Sequence, residues 1–155
     1  MTKINVIIQD KKWNKHIKNY SPYLNKRVKI LDKNISFLKK KTYDFTLLLS
    51  GEKKIKYLNK NFRNKNKSTD ILSFPAYNKK NLKRIIKNHN NIYLGDVIIN
   101  INKIKKSYSK KEFKYRFDEL WIHGFIHLFG FQHKKHNEFI KMNKIEKIFL
   151  KLINK

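Results

Sequence analysis

The sequence predicts an α/β protein of the α+β kind, one domain over residues 1–155, with a short mixed sheet of about four strands packed against about five helices. Three observations predict it. Four apolar, β-branched runs are separated by segments in which apolar residues recur every three or four positions. No Gly/Ser linker, internal repeat or shift in composition marks a domain boundary. The 155 residues are 40% hydrophobic, with 11 Phe and 8 Tyr, which suffices to bury a core and excludes a disordered chain.

The elements follow in order. "KINVIIQ" (3–9) is a β-branched strand ending at Asp10. From Pro22 to about Lys40, Leu24, Val28, Leu31, Ile35 and Leu38 repeat with helical spacing; Ser21 serves as N-cap and Pro22 as the first helical residue. "YDFTLLL" (43–49) is a second strand, and "SGEKKIKYLNKNF" a helix opened by Ser50. A polar loop, "RNKNKSTD", leads into a third strand, "ILSFPA", which Pro75 ends or confines to a sheet edge. Residues 77–91, rich in Lys and Asn, read as a surface loop. "IYLGDVIIN" (92–100) is the fourth strand, followed by helices from about 101, over 111–129 and over 137–153.

The formal net charge is +27, from 38 Lys+Arg against 11 Asp+Glu. Such a field attracts polyanions, nucleic acid first. Only four of the basic residues are arginine, however, and Asn and Ile are also abundant. Lys, Asn and Ile are all encoded by A and T alone, so base composition accounts for the charge equally well. The chain has no cysteine, which removes disulfides, Cys-ligated zinc and thiol catalysis. With no apolar leader and no long apolar run, a soluble cytoplasmic protein without a membrane span is expected.

The chemistry concentrates in "HGFIHLFGFQH", residues 123–133, which holds three of the chain's six histidines. His123 and His127 lie one helical turn apart, so their imidazoles share a face. Gly130 offers a C-terminal stop, because glycine takes left-handed backbone at little cost, and the turn can return His133 as a third ligand. Three nitrogen donors with a fourth position open is the catalytic zinc arrangement, which implies one zinc ion or another divalent metal. A single histidine on such a helix would be an ordinary polar group; three around a glycine match a metal motif. His136 reads as an exposed residue at the start of the last helix, and His16 and His89 carry no signal.

The zinc-protease frame H-E-x-x-H-x-x-G-x-x-H has its three histidines and glycine in this register. Its glutamate base is Gly124 here, and glycine takes no proton. A metallopeptidase-like hydrolase is therefore the weaker alternative. A non-catalytic, metal-stabilised ribosome- or RNA-binding module is another.

The segment closely resembles the hallmark of the YbeY-type endoribonucleases (rRNA maturation factors), H-G-x-L-H-L-x-G-Y-D-H. A second family segment, approximately R-x-K-D-x-x-T-D-V-L-S-F-P, reads "RNKNKSTDILSFP" from Arg63 to Pro75, and a Gly-Asp pair within a strand reads Gly95-Asp96. The segments keep the family's order over about residues 50–150. Gln132 and Asn66 stand where the family usually has Asp, and the chain after His133 is lysine-rich where relatives are acidic. The first change removes a carboxylate that could tune a metal ligand.

The resemblance implies a single-strand-specific, zinc-dependent endoribonuclease that matures the 3′ end of small-subunit (16S) ribosomal RNA and serves ribosome quality control. It implies His123, His127 and His133 as zinc ligands, and Arg63 and His123 as the residues that carry the reaction. A guanidinium can hold two phosphate oxygens of a transition state that gathers negative charge. Its partners are then single-stranded ribosomal RNA precursors and components of the small ribosomal subunit, with no DNA and no membrane.

Further residues are candidates on chemical grounds. Asp96, a carboxylate inside an apolar strand, needs a partner and could orient a ligating histidine or be a hydrogen-bonded structural group. Glu119 sits four residues before His123, as a base or acceptor beside it or as an exposed acid of a basic helix. Lys65, Lys67 and the lysines near 79–87 suit phosphate tracking, with Phe62 or Tyr77 to stack bases; a solvated lysine face is the plain alternative.

Overall fold

The computed structural model describes all 155 residues. In chain order they form β1 (Thr2–Ile8), a short 3-10 turn (Lys11–Lys15), α1 (Tyr20–Asn34), α2 (Ser36–Lys39) and β2 (Thr42–Ser50). Next come α3 (Glu52–Arg63), β3 (Ile71–Pro75), α4 (Lys79–Asn88), β4 (Asn91–Asn100), a 3-10 turn (Ile101–Lys103), α5 (Lys110–Leu128) and α6 (His136–Ile153). The four strands make one mixed sheet in the order β1-β2-β4-β3. β1, β2 and β4 run parallel, and β3 pairs antiparallel with β4 at an edge. The expected α+β layers are present, with six α-helices in place of about five.

Strand alternation assigns the two faces. Tyr43, Phe45, Leu47 and Leu49 of β2 are buried beneath α1 and α5, whereas Asp44, Thr46 and Leu48 face the other way. The main core joins the sheet to α1, α5 and α6 through Trp13, Leu24, Leu31, Phe117, Trp121 and Phe125, all fully buried. A small second cluster, Ile55, Leu72 and Ile98, lies under α3 on the opposite face. Much of that face is open.

Three expectations are corrected. Residues 77–91 are not a loop: Leu82, Ile85 and Ile86 form a short apolar stripe that docks α4 on the core, with the Asn78 side chain accepting from the Asn81 N–H at 2.8 Å. The helix expected from about 101 is a single 3-10 turn. Ser50 ends β2 and Gly51 caps α3, while α1 opens two residues earlier than expected, with Asn19 as N-cap, and breaks at Ile35.

The α1–α5 interface is fixed by a buried charge. Asp118, with 0% side-chain exposure, accepts from Arg27 Nε at 2.8 Å, Trp121 Nε1 at 2.9 Å and Tyr23 Oη at 3.0 Å. Burial pushes its carboxyl above the ordinary range, opposed by these donors. Replacing Arg27 by Leu strands the carboxylate. At pH 7 the loss of stability is expected to be about 3–5 kcal/mol. The deficit should shrink on acidification, because Asp118 titrates higher in the folded than in the unfolded chain and its neutral form needs no cation. Urea unfolding across pH measures both; a deficit that is small or independent of pH would show that the pair does not hold the interface.

Candidate metal centre

The centre is built on the C-terminal half of α5. Ser109 and Glu112 open this helix with a reciprocal capping box, at 3.2 Å for Glu112 N–H to Ser109 Oγ and 2.7 Å for Ser109 N–H to Glu112 Oε2. The helix then runs against the sheet with most of its surface buried. Closest approach is at Gly124, where an added Cβ would meet Val97 Cγ1 at 2.5 Å and Ile71 Cδ1 at 3.0 Å. The position that holds a glutamate in the protease frame is thus pressed between helix and sheet. No side chain fits there, quite apart from whether it could take a proton.

His123 and His127 flank this contact on the partly exposed side of α5. The helix ends at Gly130, whose φ of +83° is left-handed, and the reversal brings exposed His133 back over the other two rings. Ring centroids lie 4.6 Å (His123–His127), 5.6 Å (His123–His133) and 4.9 Å (His127–His133) apart. One ligand nitrogen from each of the three falls within 4.8 Å of the others.

The hydrogen bonds fix which nitrogens face inward. His127 Nδ1 lies 2.7 Å from the Phe131 carbonyl and His123 Nδ1 2.6 Å from Glu146 Oε1. A carbonyl and a carboxylate only accept, so both Nδ1 atoms carry protons, and in the neutral rings both Nε2 atoms present lone pairs. These two Nε2 atoms are 3.0 Å apart. Two facing lone pairs at that separation repel unless a proton or a metal ion lies between them. A tetrahedral ion with nitrogen ligands at about 2.0–2.1 Å spaces its donors by about 3.3 Å, so the set fits a divalent metal. Burial lowers the His127 pKa to about 4, helped by His123 and His133 and opposed by Phe131 and Glu146. The ring is therefore neutral, as a ligand must be, at physiological pH.

Two expected neighbours are elsewhere. Glu119 accepts from Arg116 Nη1 at 3.3 Å, and Arg116 also binds Asp70 at 2.9 Å. Both acids line a groove of about 400 Å³ between α5 and α6 that reaches His123, but Glu119 makes no bond to a histidine. Asp96 points to the opposite face of the sheet, where it accepts from Tyr93 Oη at 2.6 Å. Neither touches a histidine of the cluster. That position belongs to Glu146 of α6, which the sequence reading missed. Its one signal is an acid set between Ile145 and Phe149 on the inward face of a lysine-rich helix.

Arg63 ends α3 and donates from Nη2 to the Ser73 carbonyl of β3 at 3.0 Å. The Ser73 hydroxyl in turn lies 3.4 Å from the Gly124 carbonyl, which links β3 to the turn of α5 that carries His123. Left-handed Asn64 follows Arg63, and Asn59 folds the loop back by accepting from Lys65 N at 3.1 Å and donating to the Lys67 carbonyl at 2.8 Å. Lys65 and Lys67 are exposed on this loop. Phe62 is 68% exposed, whereas Tyr77 packs against the core. His136 is exposed at the start of α6, His16 stacks on Phe113 at 3.9 Å, and His89 caps α4; none joins the cluster.

Fold and site define a small α/β protein whose buried helix converges three imidazoles on a point beside a basic surface. The family model for endoribonuclease YbeY matches residues 6–154. A Pelagibacter ubique protein named endoribonuclease YbeY is 43% identical over 156 aligned positions, covering 99% of this chain and 97% of that one. A Mycoplasma mobile protein of the same name is 35% identical over 68 positions, 40% of this chain and 42% of that one. The solution structure of TM1509 from Thermotoga maritima shares the fold, with a TM-score of 0.60 at 21% identity over 97% of this chain and 89% of that one. The chain belongs to the endoribonuclease YbeY family, and it is a hydrolase acting on RNA. No helix is long and apolar enough to cross a membrane.

Proposed function

We propose that this protein is a zinc-dependent endoribonuclease of single-stranded RNA that matures the 3′ end of small-subunit ribosomal RNA and works in the cytoplasm with components of that subunit. The observation that carries the reading is the pair of Nε2 atoms 3.0 Å apart, each imidazole already donating through Nδ1, with His133 above them. His123, His127 and His133 would hold the ion, and nitrogen donors in a tetrahedral set favour zinc. When bound, such an ion supplies a Lewis acid for a phosphoryl oxygen and acidifies water at neutral pH.

The chain's own residues do the rest. The Glu146 carboxylate accepts a hydrogen bond from the His123 Nδ1–H, which holds the proton on Nδ1 and keeps Nε2 free and aimed inward. Arg63 offers a planar pair of donors to phosphate oxygens, with one corner tied to the Ser73 carbonyl. Lys65 and Lys67, exposed on the loop that follows Arg63, hold the RNA backbone next to it. A peptidase reading lacks its base, because Gly124 is packed where the glutamate would stand. The direct test is cleavage of a single-stranded ribosomal RNA precursor by metal-loaded protein beside a His123→Ala control. Equal cleavage by the two would sink the assignment.

Metal content is read separately from activity. Elemental analysis of the wild type should give about one divalent ion per chain, and the His123→Ala/His127→Ala double variant should give none. Glu146→Gln is expected to weaken the ion about 10–100-fold in chelator competition, while Glu119→Gln leaves it unchanged. The reverse ranking would return Glu119 to the ligand it precedes.

Arg63→Lys keeps the charge and loses the fork. RNA affinity and metal content should stay near wild type while single-turnover cleavage falls roughly ten- to a thousandfold. Cleavage at the wild-type rate would reduce Arg63 to one more cation.

Replacing Lys65 and Lys67 by Ala should weaken RNA binding and flatten its dependence on salt, with little change in turnover of bound RNA. An affinity that ignores salt in the wild type would mark the +27 charge as a product of base composition alone.

A further inference from the structure

The open face of the sheet holds a second candidate site, on the side away from the histidines. A cavity of about 540 Å³ lies there, walled by Leu48, Ile98, Phe62 and Phe74, with Asp96 and Lys54 at its polar parts. Asp96 is bonded to the Tyr93 hydroxyl and to no cation, in a chain with 38 basic residues. Phe62, 68% exposed, meets Phe74 edge to face at 5.6 Å. The Arg63 guanidinium stands 5.8 Å from the Phe74 ring centroid while bonded to Ser73. Successive strand residues point to opposite faces, so Ser73 looks toward α5 and the metal centre and Phe74 into this cavity. Arg63 sits at the edge between them.

We propose that this cavity is a nucleobase pocket, which seats one base of the RNA strand whose phosphate Arg63 holds at the edge of β3. The proposal rests on the reading of Arg63 as a phosphate-holding residue. The chemistry matches the ligand part by part. A base has apolar faces, which stack on exposed aromatic rings, and a polar rim, which the carboxylate can read. A phosphate would be repelled by Asp96; an exocyclic amino group donates to it. The pocket therefore favours adenine, cytosine or guanine, whose exocyclic amino groups present two protons at the rim, over uracil, which offers only its ring N3–H. A second copy of this chain is a poor occupant, because two +27 surfaces repel.

The test uses the metal-loaded full chain and cleavage-resistant 2′-O-methyl homopolymers of the four bases, with an abasic strand of equal length. The amino-bearing strands should bind roughly tenfold tighter than oligo(U). Phe62→Ala should lower affinity for the base-bearing strands roughly tenfold and leave the abasic strand unchanged. Asp96→Asn should remove the preference against uracil. Phe62 is too exposed for its loss to threaten folding, so that variant remains informative if Asp96→Asn unfolds. The pocket is overturned if Phe62→Ala binds base-bearing and abasic strands as the wild type does, or if its main effect is to dissociate a dimer in sedimentation. A wild type that shows the base preference but cuts no RNA would leave the pocket standing and remove the nuclease reading. A wild type that cuts RNA with both variants unchanged would do the opposite.

Discussion

Everything at the metal centre depends on how closely α5 lies on the sheet. At Gly124 the helix backbone meets Val97 and Ile71 with no side chain between them. That contact sets the depth of the helix, and the depth sets where the rings at 123 and 127 emerge. Phe125 stacks on Phe45 at 4.9 Å, and Trp121 sits fully buried one turn back, so the helix is held against both sliding and rotation. The buried Asp118 fastens its other flank to α1. Rigid placement matters because His123 reaches Glu146 of α6 only while α5 keeps this depth and rotation.

The donor set draws on three layers of contact. Helical spacing supplies two rings, a left-handed glycine returns the third, and a carboxylate from the last helix fixes one tautomer. The first two are local and legible in the sequence, since a one-turn spacing and a terminal glycine have direct geometric meaning. The third is not. Glu146 meets His123 across 23 residues, and only packing of α6 on α5 decides which acid of a lysine-rich chain arrives there. Glu119, nearer in sequence, is drawn off by Arg116.

Other differences from the sequence reading have equally specific causes. Helix α4 hides because only Leu82, Ile85 and Ile86 stand out from ten residues dominated by Lys and Asn. Asp96 could have been placed by parity: neighbouring Val97 packs under α5, so the carboxylate must face the other side. The β-bulge at Leu94 and Gly95, where Gly95 takes a φ of +130°, moves the register of β4 by one residue just before that position. The strands themselves, their order along the chain and the edge position implied by Pro75 were readable from alternation and from the missing proline donor.

That edge has a further consequence. Backbone groups of Asp70 and Ala76 bond to β4, so by alternation those of Ile71, Ser73 and Pro75 point away from β4, unpaired by any strand. An exposed ladder of this kind invites a strand from another molecule. Here the middle carbonyl is taken by Arg63, and Pro75 has no N–H to offer. The guanidinium proposed to grip RNA thus also closes the sheet to its neighbours, so this one side chain guards against aggregation at the place where a long polyanion must be free to slide past.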